Sequence, residues 1–168
     1  MVTADDIIRL LSLVPLEPEG GHFRETYRST LEIPGEGLRG VYAGARSAST
    51  AIYYLLTPST HSAIHRVVSD EIFHHYLGDP VEMLQLMPDG SGTTVVIGAD
   101  LESGMRPQVV VPGNAWQGCR LLPGGRFALM GTTVAPGFDY DDFELASREF
   151  LLRDFPAHAE MIRDLTSK

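Results

Sequence analysis

The chain has 168 residues, 43% of them hydrophobic, and a formal net charge of −9 at pH 7. That length fits a single domain over residues 1–168, with a core large enough to need no staples. No Lys/Arg block occurs, so a nucleic-acid partner is excluded, and no run of about eighteen apolar residues offers a membrane span.

The N-terminal "TADDIIRLLSL" opens on Thr3, a good N-cap, and carries acidic residues in its first turn. Apolar side chains recur at Ile7, Ile8, Leu10, Leu11 and Leu13, predicting a short amphipathic helix closed by Pro15. No basic region precedes this apolar run, so it is not a signal peptide, and a cytoplasmic location is expected. An extended stretch follows, "PEGGHFRETYRSTLEIPGEG". From there to about residue 137, short runs rich in Val, Ile, Leu, Tyr and Thr alternate with Gly, Pro and Asp turns. Examples are "STAIYYLLTPS", "EIFHHYLGDP", "VEMLQLMPDGSG", "RPQVVVPGN" and "RFALMGTTVAPG". Strands at roughly ten-residue spacing predict an antiparallel sandwich or barrel. The tail from "DDFELASREFLLRDF" onward returns to helical spacing, with Pro156 at a break or at the start of a final turn. The fold class is therefore all-β, a small barrel with short helices at both termini. Such barrels hold one small ligand in the mouth or lumen.

Cysteine occurs once, at Cys119, which permits no internal disulfide and reads as a small buried hydrophobe on a strand. The segments "DGSG" and "PGG" lack a following helix and lysine, so they are hairpin turns rather than phosphate loops.

The chemistry concentrates in "SAIHRVVSDEIFHHYLGDP". His65, Glu71, His74 and His75 lie within eleven residues there. Three readings stand: a metal site, an acid/base pair, or structural polar residues on a strand. As a metal site, His65 and Glu71 supply two ligands, and His75 or Gln117 would have to complete the shell, so no metal cofactor is expected. As an acid/base pair, Glu71 fixes the His65 tautomer. Strand alternation puts Glu71, Phe73, His75 and Leu77 on one face and Ile72, His74 and Tyr76 on the other. His75 is thus favoured over His74 for a ligand-facing role. In the second motif, "VPGNAWQG", a Pro-Gly turn precedes Trp116, read as a pocket wall or as plain core.

These residues resemble the cupin superfamily, jelly-roll proteins built as a double-stranded β-helix. Its first motif has a His pair, a later Glu, and a Gly after six further residues; His65, Glu71 and Gly78 fit it. Its second has a Pro-Gly turn with a third His three residues past the Gly; Pro112 and Gly113 fit it. Ala63 and Val67 flank His65, so the His pair is reduced to one, and Trp116 holds the third His position. "EGGHFRETYRS", "STAIYYLL", "HRVVSDEIFHHYLGDP", "RPQVVVPGNAWQG" and "VAPGFDYDDFEL" resemble the fifth cupin group, over about Ile7 to Phe155. That group is similar to the dTDP-keto-deoxysugar epimerases (RmlC-like), which are metal-independent dimers with a histidine base and a tyrosine acid. The resemblance implies a sugar or nucleotide-sugar ligand, a homodimer, and His65 as base with Glu71 beside it. It also implies a "G-x-F-x-E" pocket segment, matched by Gly21, Phe23 and Glu25. Phe23, Glu25 and Tyr27 share one strand face, with Arg24 and Arg28 on the other. Arg24, Tyr27, His75, Trp116 and Gln117 complete the expected ligand-binding set. Isomerisation or epimerisation is the leading activity, and a non-catalytic binding protein is the alternative.

Overall fold

The computed structural model describes residues 2–38 and 41–166. Helix α1 (Ala4–Leu11) starts at a capping box. The Thr3 hydroxyl oxygen accepts from the Asp6 N–H at 3.2 Å, and the Asp6 carboxylate accepts from the Thr3 N–H at 3.2 Å. The helix stops before Pro15, because Ser12 turns left-handed at φ 53° and returns its N–H to the last carbonyls.

Thirteen strands follow in the described residues. They are β1 (Val14–Pro15), β2 (His22–Arg28), β3 (Glu32–Ile33), β4 (Arg46–Ser47), β5 (Thr50–Leu56), β6 (Ser62–Val67) and β7 (Asp70–Gly78). After them come β8 (Val81–Leu86), β9 (Gly92–Ile97), β10 (Gln108–Val111), β11 (Trp116–Leu121), β12 (Ala128–Ala135) and β13 (Phe143–Leu145). One sheet runs β1-β2-β5-β12-β7-β10 and the facing sheet runs β13-β6-β11-β8-β9, with β3-β4 a separate pair. All these ladders are antiparallel and most neighbours are distant in sequence. This is an antiparallel sandwich, as the strand spacing predicts, with the jelly-roll order that the cupin resemblance implies.

Alternation decides what fills it. Tyr54, Leu56, Phe73, Met83, Cys119 and Met130 point between the sheets into one buried cluster. Ile64, Leu84, Leu86 and Trp116 point out of the smaller sheet. There α2 (Arg148–Asp154) and α3 (Ala159–Asp164) cover them with Leu151, Ile162 and flanking Phe155 and Leu165. The tail is helical only from Arg148. Its first part, Phe143–Leu145, is drawn into the sheet as β13 because it pairs with Val67, Arg66 and His65 of β6. Pro156 opens a 3-10 turn between α2 and α3. Among the described residues no helix is long and apolar enough to cross a membrane.

Candidate functional site

His65 lies on β6 with its ring inside the sandwich, 3% exposed. Its Nδ1 is 2.8 Å from the Ala63 carbonyl oxygen. A carbonyl oxygen can only accept, so Nδ1 carries a proton, and in the neutral tautomer the lone pair lies on Nε2. Nε2 makes no hydrogen bond among the described residues; Glu19 Oε2 stands 3.9 Å away. Glu19 is held in place by the Ser62 hydroxyl, which donates to Oε1 at 2.8 Å. On its other side the His65 ring stacks on Phe143, with centroids 5.1 Å apart.

Glu71, at the start of β7, is 8% exposed and accepts from Gln117 Nε2 at 2.5 Å. Burial pushes its carboxyl above the usual range; neighbouring His65 pulls down and the Glu19 charge pushes further up. Gln117 is brought there by the β11–β6 register, which sets it directly opposite His65.

A cavity of about 380 Å³ opens beside these groups. His65, Glu71, Glu19, Phe23, Glu25, Arg28 and Thr132 line it, together with Phe138, Asp139, Tyr140 and Phe143 from the segment after β12. That segment is pinned rather than loose. Arg46 grips Asp142 through two hydrogen bonds of 2.7 Å, both side chains 5% exposed. Phe138 N–H donates to Thr50 Oγ1 at 2.9 Å, and Arg28 donates to the Phe138 carbonyl at 3.2 Å.

Of the residues expected at the site from sequence, His65, Glu71, Phe23 and Glu25 line the cavity, and Gln117 stands behind Glu71. The structure places the other four elsewhere. Tyr27 is 54% exposed, because a bulge between Glu25 and Tyr27 inserts one residue and reverses the alternation. The same bulge turns Arg28 into the cavity. Arg24 faces outward over the Tyr53 ring. His75 shares the Glu71 face but lies four residues, about 13 Å, farther along the strand. It sits opposite Met130 in the core with its Nε2 unpartnered. Trp116 packs outside the smaller sheet against Phe150, under the Arg66 guanidinium 4.5 Å from its ring. It is core, and its neighbour Gln117 is the residue that turns inward.

Glu19 and the Phe138–Phe143 wall were not singled out from sequence, and Arg28 was weighed only with Arg24, as a pair on the other strand face suited to an anionic group. The one signal was the occurrence of "EGGHF" and "VAPGFDYDDFEL" among the family-like stretches.

The family model of Cupin_5, the cupin superfamily group DUF985, matches residues 5–146. The chain belongs to the Cupin_5 family. A protein of Saccharomyces cerevisiae, Uncharacterized protein YML079W, is 36% identical over 137 residues, covering 74% of this cupin. The match spans 66% of the yeast protein, just under two thirds of its length. A hypothetical protein from Leishmania major superposes with TM-score 0.89 at 33% identity, covering 99% of this chain and 100% of the other. Protein SO0799 from Shewanella oneidensis gives TM-score 0.87 at 35% identity, covering 99% of each. Oxalate decarboxylase of Bacillus subtilis shares the fold alone, at 13% identity and TM-score 0.53, covering 94% of this chain and 39% of the enzyme.

Many cupins hold a metal on three histidines and a glutamate, and the residues present here do not fit one. Ala63 and Val67 stand on either side of His65 where a second histidine would pair with it, the outward-facing Trp116 holds the third histidine position, and His65 and Glu71 remain. Among the described residues no group of three or more His, Cys, Asp or Glu is arranged to hold a metal ion.

Proposed function

We propose that this cupin binds a sugar-sized carbonyl compound in the cavity and isomerises or epimerises it by proton transfer at His65. The observation that carries the reading is the committed Nδ1: with its proton donated to Ala63, the Nε2 lone pair is the free end of a ring that lines the cavity. Proton abstraction beside a carbonyl needs one positioned base, a donor for the carbonyl oxygen, and a charge to balance the cation formed. Nε2 takes the proton from the carbon next to the carbonyl, the C–H pair forms the enol double bond, and Glu71 protonates the carbonyl oxygen. Burial favours the protonated form of Glu71, which suits it as that donor. Glu19 faces the imidazolium so formed. Return of the proton to the former carbonyl carbon, with Glu71 taking a proton from the hydroxyl on the neighbouring carbon, yields the isomer. Once the enol has turned its other face to Nε2, return of the proton to the original carbon, with Glu71 recovering its own from the oxygen, yields the epimer.

Of the two ligand sizes implied by the family resemblance, the bare sugar has more support. The cavity is near the small end of the usual range of about 300–1,000 Å³. Its guanidinium, Arg28, is held by Glu25 at 2.7 Å and by the Phe138 carbonyl rather than left open for a diphosphate.

The test is solvent deuterium exchange into candidate aldoses and ketoses, followed by NMR. His65→Asn is expected to slow exchange by about two to four powers of ten while sugar binding persists. Exchange that survives intact in His65→Asn overturns the base assignment. A parent protein that binds a sugar without exchanging its protons leaves the alternative, a binding protein without catalysis.

We also propose a homodimer built on the β2 edge. β1 pairs only with His22 and Phe23, so the outer edge from Arg24 to Arg28 has no partner strand among the described residues. An open edge of that length is a template for a second chain.

A further inference from the structure

The polar lining of the cavity is one-sided. Four carboxylates, Glu17, Glu19, Glu25 and Asp139, and the Glu71 carboxyl, whose burial favours the protonated form, face it against the single guanidinium of Arg28. That guanidinium is already committed: Nε and Nη2 donate to Glu25 at 3.1 and 2.7 Å, and Nη1 donates to the Phe138 carbonyl. The Thr132 hydroxyl turns to Glu71. Acceptors therefore dominate. Glu19 Oε2 stands 3.9 Å from Nε2 of His65, and Nε2 has no hydrogen-bond partner among the described residues, on a residue only 3% exposed.

The apolar part of the wall is aromatic. Phe138 meets Tyr140 edge-on at 5.1 Å and Phe143 edge-on at 6.4 Å, and Phe23 lines the cavity as well. Ring faces carry negative quadrupole potential and attract cations, most strongly where water is excluded. Carboxylates and ring faces thus select the same ligand property from different sides. An ammonium group has three donors and no acceptor, the complement of this lining. A phosphoryl or carboxylate ligand would meet unpaired acceptors of its own sign.

We infer that the ligand of this cavity carries a protonated amine, an amino sugar being the form that satisfies both the cavity and its proposed chemistry. The inference rests on reading this cavity as the ligand site, and it does not require that the site be catalytic. The carboxylate at Glu19 and the rings of Phe138 and Phe143 receive the ammonium, and His65 accepts one of its hydrogens or that of a neighbouring hydroxyl.

NMR titration of the full chain with glucosamine, glucose and glucose 6-phosphate tests it, read on the methyls of Ile52, Thr132 and Val134 in the cavity wall. Glucosamine is expected to bind at least about ten-fold more tightly than glucose, a difference set by the charge alone. Glucose 6-phosphate is expected to bind more weakly than glucose. Glu19→Gln is expected to remove most of the preference for the amine, read as the ratio of glucosamine to glucose affinity in the same folded variant. The inference is overturned if glucosamine moves none of these methyls at tens of millimolar. It is equally overturned if the phosphate ester binds more tightly than glucose, or if the amine preference is unchanged in a folded Glu19→Gln protein. Deuterium exchange on the same samples separates the two proposals. An amine preference without exchange upholds the ligand class and defeats the catalytic reading; exchange without an amine preference does the reverse.

Discussion

Gln117 donates its amide N–H to Glu71 Oε2 at 2.5 Å, and its own Oε1 is buried with no partner. One amide therefore holds the carboxylate while carrying an unmet acceptor next to it. A half-turn of the amide would present Oε1 to a protonated Glu71, so the pair can hydrogen-bond in either protonation state.

Glu71→Gln tests the cost of that buried carboxylate. Its folded-state pKa is raised above the ordinary 4.5, chiefly by burial. Between the unfolded and folded values the folded chain holds more protons than the unfolded one, so Glu71 lowers stability as pH rises through that window. Below the window the variant and parent are expected to be close. Above it the variant gains relative to the parent, and the gain then levels off. Urea midpoints at a series of pH values from about 4 upward read the difference. A variant that loses ground as pH rises would contradict the assignment.

The Arg46–Asp142 pair fixes the aromatic wall. Asp142→Asn leaves a guanidinium buried without its counter-charge, and a loss of about 3–5 kcal/mol is expected by denaturant titration. Replacing both partners, Arg46→Met with Asp142→Leu, is expected to recover most of that stability but not ligand affinity, because the wall then loses its anchor.

Ser62→Ala probes the placement of Glu19. The lost hydrogen bond costs about 0.5–1.5 kcal/mol of stability. Ligand affinity is expected to fall as Glu19 gains freedom to swing away from His65. Gly20→Ala acts on the same loop from the backbone. Gly20 sits at φ +107°, and an added Cβ would lie 2.3 Å from the His61 carbonyl oxygen. Strain of about 1–3 kcal/mol is expected, together with weaker binding. Full affinity in Gly20→Ala would remove the loop from the site.

The proposed β2-edge dimer makes a separate claim. Light scattering at micromolar concentration is expected to give twice the chain mass, and Thr26→Pro, which breaks the edge at its bulge, is expected to shift the population to monomer. A monomeric parent protein ends the proposal.

The antiparallel β architecture and the buried Cys119 follow from a period of two and from Gly/Pro turns, which act locally and are written in the sequence itself; the jelly-roll order was implied by the cupin resemblance. His65, Glu71 and Gln117 were legible for a related reason: each sits within or next to a short motif of fixed spacing. The rest of the cavity was decided by tertiary structure. Thr26 becomes a bulge only because β2 must keep register with β5, and that single inserted residue sends Tyr27 out and Arg28 in. Glu19 meets His65, and Phe143 stacks on it, across 46 and 78 residues of chain respectively, through pairings that no local pattern encodes. Trp116 and Gln117 are neighbours in sequence, and which of them turns between the sheets depended on which side of β11 the C-terminal helices came to cover.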